Sequence, residues 1–224
     1  MGRLTRRSWL RPVQRWLGWG LSVAGMAWLV WPLLRPMLWQ AHGAPVLVVL
    51  DGYHRLDWVL QRQARSGASV LLITCPATGQ PTVMQMARHQ HLAQPNQPAP
   101  PLLVIRHGFD TATQGVAMAH WLQQRSRLGL PAPAELMLVS DRHHFPRAWL
   151  VFQLAAGSRG SRVRAMPVPA SSAPRTPANS PWWQDAPLWR DGLRLQLWRL
   201  TGSTGAFLQA DAWQAKVRAC GEVD

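Results

Sequence analysis

Lysine is almost absent from this chain: of 24 basic residues, 23 are arginines and only Lys216 is a lysine. Acidic residues number only 10, so the formal net charge is +14. Such a surplus ordinarily points to phosphate-rich partners. Here the arginines are spread along the whole length with no Lys/Arg run of 5 to 8 residues, so the usual footprint of a nucleic-acid arm is missing. The surplus reads as arginine-rich genomic usage first and a functional basic surface second, and no nucleic-acid partner is expected. Cysteine is scarce as well. Cys75 and Cys220 stand 145 positions apart, which supplies neither a disulfide framework nor metal-ligand spacing, so two unrelated thiols and no metal site are expected.

Other absences narrow the chemistry. No G-x-G-x-x-G follows the first apolar run, which removes the dinucleotide fingerprint. No G-x-S-x-G surrounds Ser140, so its nearness to Asp141 and His144 does not make a hydrolase elbow. His89 and His91 are two apart and would point to different faces of a helix, a poor chelating pair. There are no internal repeats and no heptads.

What the chain does contain begins with an apolar run. Trp16 to Leu34 carries no charge for 19 residues, enough helix to match a hydrocarbon core of about 30 Å. Arg3, Arg6, Arg7, Arg11 and Arg15 precede it, and only Arg35 closely follows. The positive-inside bias therefore puts the N-terminus in the cytoplasm and the rest outside, in a single-pass inner-membrane topology. Trp16 and Trp19 at one end and Trp28, Trp31 and Trp39 toward the other suit interfacial aromatic belts. A cleaved signal peptide and a twin-arginine signal around Arg6-Arg7 are the alternatives, and both also deliver the domain outside. The expected division is a basic segment over 1–15, a transmembrane anchor over 16–39, an α/β domain over 45–200 and a tail over 201–224.

Within the domain, Val46 to Leu50, Val70 to Thr74, Leu102 to Ile105 and Leu136 to Ser140 are continuous apolar runs of strand length, with Val163 to Val168 a weaker fifth. Strands buried on both faces of a parallel sheet read this way. Between them, helical spacing relates Leu56, Val59, Leu60 and Ala64, then Ala112, Val116, Ala119 and Leu122, then Ala148, Val151, Phe152 and Ala155. A last helix is expected over 186–200, with Leu188, Leu195 and Trp198 on one face. The proline-rich stretches at 94–101 and 167–181 read as loops. Alternating strands and helices predict a three-layer α/β/α, Rossmann-like, doubly wound parallel sheet.

Ligands of such sheets bind beyond the C-terminal ends of the strands, so the residues following each run are the candidates. Asp51-Gly52 and Arg55 follow the first, Thr74-Cys75-Pro76 the second, and Asp110-Thr111-Ala112-Thr113-Gln114 the third. After the fourth, Leu136-Met137-Leu138-Val139-Ser140 continues to His144-Phe145-Pro146-Arg147-Ala148. In this order the motifs resemble the YdcF/SanA/ElyC-like family, envelope-associated proteins built on a domain of unknown function. Its hallmarks are a strand with Gly-Gly and a following Arg, then Asn/Asp-Thr-x-Glu-Asn, then an apolar strand with Thr/Ser-Ser followed by His-x-x-Arg-Ala. The resemblance spans roughly residues 45–200. Three family features are altered: Ser-Gly-Gly is replaced by Thr74-Cys75-Pro76, the acidic residue that usually follows it has no clear equivalent, and the motif glutamate is replaced by Thr113.

The resemblance implies a ligand cleft built from Asp51, Gly52, Arg55, Asp110, Thr111, Ser140, His144 and Arg147. Arginines on first helical turns, where backbone N–H groups and the dipole favour negative charge, suit a small anionic ligand, nucleotide-like or a lipid-linked sugar. Asp110 also reads as a helix N-cap. His144 is the candidate acid/base, since imidazole titrates near neutrality. With the family's carboxylates thinned out, binding without turnover is the first expectation. A hydrolase or group transferase acting on an envelope precursor is the alternative. No cofactor is assigned.

Overall fold

Each of the five apolar runs forms a strand. The computed structural model describes residues 10–50, 55, 56, 58, 59, 68–75, 102–105, 108–142, 144–168 and 186–204. The strands are β1 (Val46–Leu50), β2 (Ser69–Ile73), β3 (Leu102–Ile105), β4 (Glu135–Ser140) and β5 (Arg162–Pro167). They make one five-stranded, wholly parallel sheet in the order β3-β2-β1-β4-β5. The central strands have no polar alternation because both faces are covered, and every residue of β1 is buried. The outer strand β5 instead exposes Arg162 and Arg164, charges that blunt an edge.

One face of the sheet carries α2 (Thr111–Arg127), α3 (Phe145–Ala156) and α4 (Ala186–Thr201). Val48, Leu50, Leu71, Ile73, Leu136 and Leu138 pack there against Val116, Met118, Leu122, Val151, Phe152 and Leu195. The alternate strand residues Leu47, Val49, Val70, Leu72 and Val139 face the other way and meet the helical residues Leu56 and Val59. The three-layer α/β/α reading thus holds. Ala112, Val116, Leu122, Ala148, Val151, Phe152 and Ala155 are buried as their spacing predicts, as are Leu188 and Leu195, with Trp198 partly buried. Leu60, Ala64 and the His89/His91 pair lie outside the described residues.

The N-terminal helix α1 runs unbroken over Leu10–Leu38, so part of the basic segment belongs to the same helix as the apolar run. Within it, Trp19–Leu38 is long and apolar enough to cross a membrane. From Trp28 onward, however, α1 is docked on the domain. Pro32 and Pro36 have no N–H, which orphans the carbonyls four residues earlier, those of Trp28 and Pro32. The domain supplies the missing donors: Arg199 Nη2 donates to Trp28 O at 3.3 Å, and the buried Gln153 Nε2 to Pro32 O at 3.1 Å. Gln196 Nε2 donates to Leu29 O at 3.1 Å, and Arg35 donates to the Ser158 carbonyl. The Arg199 guanidinium also lies 4.0 Å over the Trp28 ring, and burial holds its pKa below the usual arginine value. The connection to β1 is taut: Ala41 N donates to Gly160 O at 3.0 Å, Gly43 N to Ala132 O at 2.9 Å, and Ala134 N to Gly43 O at 2.7 Å.

The expectation of two unrelated thiols is corrected. Cys75, buried just past the end of β2, is disulfide-bonded. Spacing along the chain gave no hint because a long-range bridge depends on how the fold returns, not on sequence separation. The sequence's one other cysteine, Cys220, lies outside the described residues. A bridge between the two would close a loop of 145 positions, so its reduction is expected to lower unfolding free energy by about 5 kcal/mol. Denaturation with and without reductant measures this, and non-reducing peptide mapping should recover Cys75 joined to Cys220.

Candidate functional site

The strand order sets where a ligand crevice belongs. The chain builds outward from β1 through β2 to β3, then returns to place β4 on the other flank of β1. Connections leaving β1 and β4 therefore diverge, and the gap at their C-terminal ends is the topological switch point. Val49 pairs with Val139, so Leu50 and Ser140 end the two strands at one level. Asp51 and Gly52, which follow β1, lie outside the described residues.

Across this gap an ion pair joins the two connections. Arg55 donates through both Nη2 and Nε to the same oxygen of Asp141, Oδ2, the Nε bond being 3.2 Å. The two side chains are only 12% and 22% exposed. Ser140, immediately before Asp141, is fully buried on the α2–α4 face, the side on which Leu136 and Leu138 pack. Its Oγ has no hydrogen-bond partner among the described residues, an uncommon state for a buried hydroxyl. Asp141 O accepts from His144 N and Phe145 N, each at 3.0 Å, and this turn launches α3. His144 sits at the N-cap position, exposed, and does not cap the helix with its side chain.

A second cluster lies where α2, α3 and α4 meet. Asp110 is the N-cap of α2, as expected: its Oδ1 accepts from Thr113 N at 2.8 Å, and Thr113 Oγ1 accepts from Asp110 N at 3.1 Å, a complete capping box. Thr113 thus takes the reciprocal place that an acidic side chain fills in the usual box. Oδ2 of Asp110 accepts from Arg194 Nη1, so both carboxylate oxygens are engaged. Just before the cap, Gly108 has φ +97°, and a Cβ there would come within 2.8 Å of Gln114 N, which explains the glycine. Thr111 opens α2, partly exposed.

Arg147, expected to face the ligand, donates through Nε to Asp191 Oδ2 on α4. Asp191 is wholly buried and also accepts from Arg190 at 3.1 Å, with Arg194 3.7 Å away. Asp110, Arg194, Asp191 and Arg147 form one chain of alternating charge. Asp191 and Arg194 are the residues that sequence reasoning passes over. Their signal was present: an Asp-x-x-Arg step inside an apolar helix of a chain poor in acids.

The structure therefore joins Arg55 with Asp141, Ser140 and His144 at the switch point, and links Asp110 to Arg147 only through α4. Among the described residues of the two clusters, four guanidiniums meet three carboxylates. Among the described residues no group of three or more His, Cys, Asp or Glu is arranged to hold a metal ion. No protein-family model, curated protein or solved structure matches the chain.

Proposed function

We propose that this chain is a membrane-anchored protein of the YdcF/SanA/ElyC-like kind, acting at the inner membrane in the cell envelope. Its domain lies outside the cytoplasm and binds a small anionic ligand, nucleotide-like or a lipid-linked sugar, beyond the ends of β1 and β4. The observation that carries the reading is the Arg55–Asp141 pair spanning the switch point. An arginine there is already poised between the two connections, and both donors fall on a single carboxylate oxygen. A phosphate or carboxylate ligand would replace that monodentate contact with a bidentate one. The start of α3, which His144 does not cap with its side chain, suits the same guest. Arg147 serves this site indirectly, by fixing α3 against α4. The outward orientation is supported by the arginines preceding α1 and by the disulfide at Cys75, a bond that persists in oxidising compartments.

The alternative, a hydrolase or group transferase using His144 as acid/base, is favoured by one observation, the exposed imidazole at the head of α3. Against it, the carboxylates of Asp110, Asp141 and Asp191 are each committed to arginines.

The test is thermal unfolding of the full chain in nanodiscs, screened against nucleotides and sugar phosphates. Saturation at about 100 times Kd should add about 2.7 kcal/mol, and Arg55→Ala should abolish the gain. If no anion stabilises the wild type, or if Arg55→Ala responds equally, the site is wrong. A companion substitution has the opposite sign. Asp141→Asn removes the internal competitor for Arg55 and is expected to tighten anion binding about fivefold, roughly 1 kcal/mol. Titration calorimetry reads this directly, and weaker binding would mean that Asp141 itself contacts the ligand. Turnover that disappears in His144→Ala would move the protein to the enzyme reading.

A further inference from the structure

The outward face of α4 is apolar, the reverse of what a helix on a water-facing domain presents. Trp189, Leu193, Leu197 and Leu200 are 54%, 70%, 41% and 68% exposed. At 100° per residue the four fall within one arc of about 80°, a single stripe along the helix. The opposite side of α4 is accounted for, since Leu188, Asp191, Arg194 and Leu195 are buried in the domain. A contiguous exposed apolar face of this kind calls for an occupant.

The surroundings of the stripe indicate which occupant. Gln196 and Arg199, one turn apart on α4, are bonded to the Leu29 and Trp28 carbonyls of α1, so the helix that carries the stripe lies directly against α1, whose side away from the domain is also apolar and exposed. There Trp31, Leu34, Met37 and Leu38 are 45%, 46%, 83% and 76% exposed. Arg199 would be the obstacle to placing this end of α4 near lipid. Yet its guanidinium is engaged by Trp28 O, by Gln196 Oε1 at 2.6 Å and by the Trp28 ring. Arg190, half exposed at the other end of the helix, is positioned to reach headgroups. Nor can the domain swing away from the bilayer, because the connector between α1 and β1 is pinned to Ala132, Ala134 and Gly160.

We infer that α4 is a second membrane-contacting element: it lies in the headgroup–acyl boundary beside α1, so that the domain is seated in the leaflet rather than tethered above it. The inference rests on the reading of α1 as membrane-spanning. It also implies that of the Trp19–Leu38 stretch, the part from Trp28 onward shares its lipid exposure with the domain. The bilayer is the occupant because the stripe is carried by a helix bonded to the one helix, among the described residues, that is long and apolar enough to span it.

The test is hydrophobic photolabelling of the full chain in phosphatidylcholine vesicles carrying a diazirine on the acyl chain, with adducts mapped by mass spectrometry. Adducts are expected on Trp189, Leu193, Leu197 and Leu200 at a yield of the same order as on α1. They should be absent from Leu103, an equally bare apolar residue on the edge strand β3. The double variant Leu193→Gln/Leu197→Gln should lose the α4 adducts and keep those on α1. Labelled α1 with unlabelled α4 would overturn the inference while leaving the anchor standing. No label on either helix would overturn the anchor itself. Unlabelled α4 together with α4–α4 cross-links between copies would assign the stripe to a second copy, and the inference would equally fail.

Discussion

Replacing Asp191 by alanine is expected to cost about 4 kcal/mol, the cost of breaking a buried ion pair by removing one partner. In a chain of this size that corresponds to a fall of roughly 10 °C in Tm. Asp191 is completely buried on α4 and is the common acceptor for Arg147 and Arg190, with Arg194 close by. Removing it leaves Arg147, only 20% exposed, without its ion-pair acceptor where α3 meets α4. Arg194 would fare better, since Asp110 remains as its acceptor. Arg147→Ala should therefore be milder, because Asp191 would still be held by Arg190. Asp191→Asn separates charge from shape: it keeps an acceptor oxygen and the packing, so most of its loss is electrostatic. Denaturant unfolding of the three variants should rank Asp191→Ala as the most damaging, then Asp191→Asn, then Arg147→Ala. If Asp191→Ala stayed within about 1 kcal/mol of wild type, the network would be adding no more than exposed surface pairs do.

That ranking bears on the proposed ligand site, because it separates two arginines that the sequence presented as equivalents. Both follow a strand, and both would sit on the first turn of a helix. In the fold, Arg55 meets a partly exposed carboxylate across the crevice, whereas Arg147 meets a fully buried one between helices. At the proposed site an incoming anion would compete with Asp141 for Arg55 at modest cost. To reach Arg147 it would have to leave Asp191 without that partner in the interior, and the same buried-charge penalty opposes it.

The sheet was legible because strands covered on both faces need unbroken apolar runs, as in Val46–Leu50; the edge strand Leu102–Ile105 also holds its predicted bounds, though Leu103 is bare. The buried sides of α2 and α3 followed from spacing for the same reason. Asp110 could be read as a cap because capping is local chemistry, settled within four residues. Nothing local says which charge meets which across the fold. Asp191 and Arg194 stand on one helix face by their spacing, but their partners come from α2 and α3. The docking of α1 was hidden differently. Pro32 and Pro36 look tolerable in an apolar helix, and only the fold reveals that the carbonyls they orphan are answered by Arg199 and Gln153.

Gly157→Ala should detach this docked half of α1. Gly157 follows α3 directly, and a Cβ there would overlap Pro32 O and lie 2.6 Å from Gln153 Nε2. The first of these neighbours is backbone, so α1 or the end of α3 must shift bodily. Either movement breaks the Gln153 bond to Pro32 O and the Arg35 bond to Ser158, again leaving the proline-orphaned carbonyl unsatisfied. Overpacking and the lost bond together should cost about 3 kcal/mol. Gly20→Ala is the matched control: it lies in the same helix with nothing within 4 Å, and alanine there should be neutral or stabilising by up to about 1 kcal/mol. Unfolding in nanodiscs measures both. Amide hydrogen exchange over 28–38 supplies the specific readout, with Gly157→Ala losing protection that Gly20→Ala retains. Equal stability and equal protection in the two variants would show that α1 is held by the bilayer alone. In that event the apolar stripe of α4 would have no fixed neighbour to lead it into the lipid.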